Sequence, residues 1–329
     1  MNVSYIKAIE YYLPEIIVSN DERTMKKIGI SERRIAEVDE FASDLAVMAA
    51  KKLFDSGVVE RQEIDFLIYC TQSPDYILPS TSCIIQARLG LPISCGAFDF
   101  NLGCSGYVYG LSIAKGLIES GSARNVLLLT SDTYSKHVNP KDRSVEVLFG
   151  DAATATLISH HEEDEIRLGP FVFGTDGKGA ENLIIPAGGL KEPISNLNKE
   201  ETEDTFGNIR SRCDLYMNGP EIFNFTLKEI PEAIQRLHAK SDTSMEDYDY
   251  FVFHQANQFM LEHLRKKLHI NNEKFSIQLK DIGNTVSSSI PIALKRDSHK
   301  LQQNDLIMLV GFGVGYSWAA CSFKWSIIK

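Results

Sequence analysis

Three residues stand where their types and surroundings suit chemistry: Cys104, His254 and Asn284. Cys104 follows Ala97-Phe98-Asp99-Phe100, which reads as a strand, and precedes apolar residues at 107, 108, 111, 114, 117 and 118, which repeat with helical spacing. A sulfur at such a strand-to-helix turn faces unpaired backbone N–H groups and the positive end of the helix dipole, which favour a thiolate and predict a lowered pKa. Gly103 and Gly106 would let a substrate approach closely. Packing is the competing role, because cysteine is among the residues most often buried and five more occur, at 70, 83, 95, 213 and 321.

His254 ends the apolar run Tyr250 to Phe253 and opens His254-Gln255-Ala256-Asn257. Sites in α/β sheets collect at the C-terminal ends of strands, which sets this histidine apart; a hydrogen-bonded structural histidine is the alternative. The histidines at 137, 160, 161, 238, 263, 269 and 299 lie in polar or helical surroundings and read as solvated. Asn284 stands in Asp281-Ile282-Gly283-Asn284-Thr285, just before a helix opened by Ser287-Ser288-Ser289. It suits a cap or turn, and equally an amide donor to a developing oxyanion or enolate, which needs no protonation change. Gly311-Phe312-Gly313-Val314-Gly315 fails as a dinucleotide loop, since Tyr316 takes the place of the third glycine and a strand follows instead of a helix. It reads as a tight turn exposing backbone N–H groups near the other three residues.

The elements that would carry these residues alternate helix and strand, which predicts an α/β protein with a largely buried sheet. The order repeats. A helix at Asp44 to Ser56 leads through Glu63 and Asp65 into the strand Phe66 to Cys70; a helix at Pro220 to Lys240 leads through Glu246 and Asp247 into the strand Tyr250 to His254. A helix at Ser105 to Ser120 precedes strands at Asn125 to Thr130 and Ala152 to Ser159, and a helix at Ser287 to His299 precedes strands at Leu306 to Val310 and Ser317 to Trp325. Two halves, 1–165 carrying the cysteine and 166–329 carrying the histidine and asparagine, follow from this repetition. Leu190 to Ile209, polar and rich in Glu, Asn and Lys, reads as a surface excursion.

The chain of 329 residues has material for about two domains. A formal net charge of −10 disfavours nucleic acid as a partner. The cysteines form no C-x-x-C pair and no cluster with histidine, so neither a metal site nor a disulfide framework is expected. No apolar run approaches the ~18 residues that would cross a bilayer, and the first residues lack a secretory pattern, so a cytoplasmic protein without membrane association is expected.

Taken together, the motifs resemble those of the β-ketoacyl-acyl-carrier-protein synthase III family, condensing enzymes of the thiolase fold. The landmarks are Gly29-Ile30 with Glu32-Arg33-Arg34, Leu78-Pro79-Ser80, Gly103-Cys104-Ser105-Gly106, Leu148-Phe149-Gly150-Asp151, Met217-Asn218-Gly219, His254-Gln255-Ala256-Asn257, Gly283-Asn284-Thr285 and Gly313-Val314-Gly315-Tyr316-Ser317-Trp318. They keep the family order over nearly the whole chain. The resemblance implies a duplicated five-layer αβαβα core, a homodimer, and an acyltransferase of fatty-acid or specialised acyl-chain biosynthesis that uses acyl-CoA or acyl-carrier-protein thioesters without a cofactor. It implies that Cys104 takes the acyl group, that His254 and Asn284 stabilise the enolate as malonyl-carrier-protein decarboxylates, and that the N–H groups of Cys104 and Val314 form the oxyanion hole. Leu78 would meet the acyl pocket across the dimer. Lys27, Arg143 and Asn257 would bind substrate, and Arg265, Lys266 and Lys267 would help dock the carrier protein.

Two departures bear on the thioester donor. The family's usual tryptophan before the Gly29-Ile30 segment is missing, and Phe259 stands where a basic residue is usual. Passage of the Cys-bound acyl group to an alcohol or amine is the alternative reaction.

Overall fold

The structure is a computed structural model, and it describes residues 3–161 and 168–326. The expected boundary between residues 165 and 166 lies outside the described residues. Seven α-helices are described: α1 Glu22–Ile28, α2 Ala42–Asp55, α3 Thr81–Leu89, α4 Gly106–Glu119, α5 Gly219–Ser241, α6 Gln258–Lys267 and α7 Ser289–Asp297. Two sheets form the core. The first has the order Val3–Tyr12, Ala152–His161, Asn125–Asp132, Phe66–Cys70, Gly96–Phe100; the second has the order Leu168–Thr175, Ser317–Lys324, Leu306–Gly313, Tyr250–Phe253. Read this way the two sheets share one topology, with matching parallel and antiparallel pairs. A parallel bridge from Phe251 to Phe275 marks where a fifth strand of the second sheet would lie.

Side-chain alternation assigns the layers. In the Asn125–Asp132 strand, Leu127 and Leu129 pack outward with α2 and α3, whereas Val126 and Leu128 pack inward with Tyr107, Val108, Leu111, Ala114 and Ile118 of α4. The inward face of the second sheet, through Val252, Ile307 and Leu309, meets that same cluster, to which α7 adds Ile290, Ala293 and Leu294. Phe253, Met308 and Val310 turn outward onto Ile230, Ala233 and Ile234 of α5 and Met260, Leu261 and Leu264 of α6. The stack is therefore helices, sheet, α4 with α7, sheet, helices. A strand covered on both faces must be apolar throughout, hence the unbroken Val126 to Leu129 and Ile307 to Val310. Each such side chain contributes roughly 1.5–3 kcal/mol of transfer free energy. Gly110 lets α4 lie on the strand beneath it: a Cβ there would sit 2.6 Å from Leu128 Cδ1.

Among the described residues, no helix is long and apolar enough to cross a membrane. The stretch from Leu190 to Ile209 is a surface excursion ending in a two-strand hairpin, Thr202–Glu203 with Ile209–Arg210. His137, His160, His161 and His238 are half-buried, not solvated, whereas His263, His269 and His299 are exposed as expected.

Candidate active site

Cys104 lies just before α4, with 5% of its surface exposed. The hairpin of the second sheet presses onto it. A Cβ at Gly313 would fall 2.9 Å from both Cβ and Sγ of Cys104, and one at Gly311 2.8 Å from the Cys104 carbonyl oxygen. Two N–H groups act on the sulfur, that of Cys104 itself and that of Val314 from the hairpin. Both pull the thiol pKa down, yet burial, reinforced by the Asp132 carboxyl, pushes it well above the free value. The expectation of a lowered pKa is thereby corrected: it follows from the helix terminus alone, and the hairpin that supplies the second N–H also removes the water that would solvate a thiolate. The resting group is a neutral thiol.

His254 follows the Tyr250–Phe253 strand and is 2% exposed. Its N–H donates to Val310 O at 2.8 Å, continuing the ladder with the Leu306–Gly313 strand. The ring stands edge-on to Phe312, centroids 5.5 Å apart and planes at 84°. Nδ1 lies 2.7 Å from Ser289 Oγ, and Nε2 has no hydrogen-bond partner among the described residues. Burial depresses the imidazole pKa to about 3, so the ring is neutral at ordinary pH.

Asn284 is held by the segment 148–150. Its N–H donates to Leu148 O at 2.9 Å, and its carbonyl accepts from Gly150 N–H at 3.0 Å. A Cβ at Gly150 would overlap Ile282 O at 2.0 Å, and Gly283, at φ +72°, sits 2.8 Å by the same measure from Leu148 O. The glycines of both motifs thus exist to let these two loops touch. Val286 N–H donates to Asn284 Oδ1 at 3.0 Å, which orients Nδ2 as the free, donating end. Phe312, edge-on to the His254 ring, precedes Gly313, which meets Cys104, and His254 bonds Ser289 five residues after Asn284, so contacts between the halves link the three candidate residues.

Three further residues escaped the sequence reading: Asp132, Phe312 and Ser289. Asp132, buried at the end of the Asn125–Asp132 strand, accepts Gln72 N–H at 2.8 Å and the Ser287 hydroxyl, and burial lifts its pKa to about 7. A buried ionisable residue at the C-terminal end of a central strand is the same signal that marks His254.

Lys27, Arg143 and Asn257 line a cavity of about 1690 Å³ that also meets Leu148, Met217, Phe223, Phe259 and Met260. Its lining does not include Cys104, His254 or Asn284, but Asn257 and Leu148 adjoin them in sequence or by hydrogen bond. Asn257 caps α6, accepting Met260 N–H at 2.8 Å, and Arg143 donates to Asp21 Oδ2 at 2.6 Å across the cavity mouth. Leu78 is exposed, on the surface with Ile77 and Ile93. Arg265 is occupied by Glu262 at 2.8 Å and Ile270 O at 2.9 Å, whereas Lys266 and Lys267 are exposed. Among the described residues no group of three or more His, Cys, Asp or Glu side chains is placed to hold a metal.

Comparison with known proteins adds ancestry to this geometry. Residues 98–177 match the family model for 3-oxoacyl-[acyl-carrier-protein] synthase III, and residues 238–325 match its C-terminal model. The chain is 38% identical over 327 residues to the β-ketoacyl-[acyl-carrier-protein] synthase III of Caldanaerobacter subterraneus subsp. tengcongensis, covering 96% of each. A solved 3-oxoacyl-(acyl-carrier-protein) synthase III superposes with a TM-score of 0.96 at 51% identity, covering 98% of this chain and 100% of that one. A 3-oxoacyl-(acyl-carrier protein) synthase from Burkholderia xenovorans LB400 gives 0.90 at 37% identity, covering 100% of this chain and 96% of that one. The thiolase-type five-layer fold and the full-length likeness agree, and the chain belongs to the β-ketoacyl-acyl-carrier-protein synthase III family.

Proposed function

We propose that the chain condenses a Cys104-bound acyl group with malonyl-acyl-carrier-protein, and that Cys104, His254 and Asn284 carry the reaction. The observation that carries this reading is the seating of Gly313 on Cys104, which places the Val314 N–H beside that of Cys104 itself to act on the sulfur. In the first step Sγ attacks the carbonyl carbon of the donor thioester. The carbonyl oxygen becomes an oxyanion at the N–H groups of Cys104 and Val314, the donor C–S bond breaks, and the thiol proton leaves with the departing thiol. Exchange of one thiol for another requires no lasting thiolate, which suits a buried sulfur.

In the second step malonyl-carrier-protein loses carbon dioxide, and the electron pair of the broken C–C bond passes into the thioester as an enolate. Asn284 Nδ2 and the neutral His254 ring meet the enolate oxygen without changing their own charge. The enolate carbon then attacks the acyl carbonyl, the bond to Sγ breaks with its electron pair left on sulfur, which takes up a proton from solvent to restore the thiol, and a 3-oxoacyl-carrier-protein is released. These residues supply the chemistry without a resident cofactor. Transfer to an alcohol would need a base, and an imidazole whose pKa is about 3 is a poor one.

Lys27 and Arg143 at the cavity mouth would receive the donor's phosphates, with Asn257 deeper along its arm. Lys266 and Lys267 would offer positive charge to an acidic carrier protein. We propose a homodimer joined through the Gly96–Phe100 strand, which ends the first sheet with one side unpaired among the described residues, where Ile77, Leu78 and Ile93 are exposed. The test is release of carbon dioxide from labelled malonyl-carrier-protein with a panel of acyl thioesters, alongside the intact mass of acylated Cys104. A product two carbons longer than the donor acyl group supports condensation, whereas simple acylation of an added alcohol or amine, or no release with any donor, refutes it.

A further inference from the structure

We propose that the Ser289 hydroxyl fixes His254 as its Nε2–H tautomer, making the imidazole a standing hydrogen-bond donor into the site and not an acceptor for the Cys104 proton. The inference deepens the condensing role proposed above and is argued from hydrogen-bond accounting. Ser289 Oγ has two partners, His254 Nδ1 at 2.7 Å and Gln255 N–H at 3.4 Å. The amide can only donate, so it takes one of the oxygen's two acceptor positions. The hydroxyl carries one proton, and its one acceptor among the described residues is Nδ1. Were Nδ1 protonated, the oxygen would accept twice and its own proton would point at nothing, although Ser289 is only 2% exposed. A buried donor left unmade is the costly arrangement. The arrangement that satisfies every group has Ser289 O–H donating to Nδ1, Gln255 N–H donating to Ser289 Oγ, and the ring proton on Nε2.

Neither neighbouring serine can take this role. Ser287 is bonded to Asp132, and Ser288 contacts Thr130 Oγ1 at 2.9 Å. Phe312 stands edge-on to the imidazole and leaves ring rotation little room. With Asn284 Oδ1 already filled by Val286 N–H, both groups present N–H donors, as an oxygen gaining negative charge requires.

The experiment is a tautomer measurement on the full chain with 15N-labelled histidine, the His254 signals being identified by their loss in His254→Gln. The expected result is a protonated Nε2 and an unprotonated Nδ1 in the wild type and in Ser289→Thr, with protonation shared between the two nitrogens in Ser289→Ala. A protonated Nδ1 in the wild type, or a Ser289→Ala spectrum identical to the wild type, overturns the proposal. In kinetics, Ser289→Ala is expected to slow condensation by about tenfold, less than loss of a whole donor, while Cys104 acylation stays within about twofold. Equal losses in both steps, or a Ser289→Thr chain with the wild-type tautomer and the alanine variant's rate, overturn it as well. The spectrum needs no substrate, so a wild-type protein that released no carbon dioxide would sink the condensing reading and leave the tautomer result standing.

Discussion

Replacing Asp132 by asparagine tests the electrostatics beneath the site. The carboxyl is 1% exposed, and its partners are the Gln72 N–H and the Ser287 N–H and hydroxyl, none of them cationic. Burial therefore dominates and raises its pKa from 3.8 to about 7. The folded chain holds this proton more tightly than the unfolded chain does. The stabilisation is complete below the unfolded value, and it is lost as pH rises through the folded value. A shift of about three units corresponds to about 4 kcal/mol in full, of which roughly 2–3 kcal/mol falls between pH 5 and 8. Asparagine cannot titrate. In urea unfolding at fixed protein concentration, the stability of the wild type minus that of Asp132→Asn is expected to fall by that amount from pH 5 to pH 8. The subtraction cancels groups common to both chains. Parallel stability curves would show that Asp132 ionises freely in the fold and refute the reasoning.

The other predictions concern close contacts. Gly313→Ala would force a methyl to within 2.9 Å of Cys104 Cβ and Sγ; it is expected to cost about 1–3 kcal/mol in a melt and to slow Cys104 acylation by about tenfold or more, read by intact mass. Gly283→Ala, strained at φ +72° and crowded against Leu148 O, is expected to displace Asn284, so condensation should fall while acylation survives. Phe98→Asp on the Gly96–Phe100 edge strand is expected to convert a dimer to a monomer in sedimentation, and an unchanged mass would place the dimer interface elsewhere.

How much of this was legible in the sequence depends on whether the signal is local. Strand-to-helix placement of Cys104, strand-end placement of His254 and the loop before α7 at Asn284 were all readable, because apolar periodicity and its interruptions are local properties. Leu168–Thr175 gives no such local signal, since Gly169, Pro170 and Gly174 are residues that strand interiors disfavour. The strand tolerates them at the edge of its sheet, and at Gly174 a Cβ would strike the Trp318 ring at 2.0 Å. The Cys104 pKa and the role of Ser289 were not readable. The first is set by a hairpin about two hundred residues away. The second is hidden in Ser287-Ser288-Ser289, three identical residues whose hydroxyls face Asp132, Thr130 and His254 respectively.

The duplication explains why those partners differ. Strand register pairs Phe66 with Val126 in one half and Tyr250 with Ile307 in the other, so Cys70 corresponds to His254 and Asp132 to Gly313. The turn before α4 corresponds to the turn before α7. Each half sends the end of its strand onto the other half's helix-opening turn: Gly313 meets Cys104, and Asp132 meets Ser287. The same contact is thus made twice with different chemistry. In one copy a glycine brings a hairpin onto a cysteine, whereas in the other a carboxyl bonds a hydroxyl. On the proposed reaction the first arrangement is a site and the second a clamp. Symmetry of the backbone decides where the two contacts fall, and the residue at the strand end decides what chemistry each can offer.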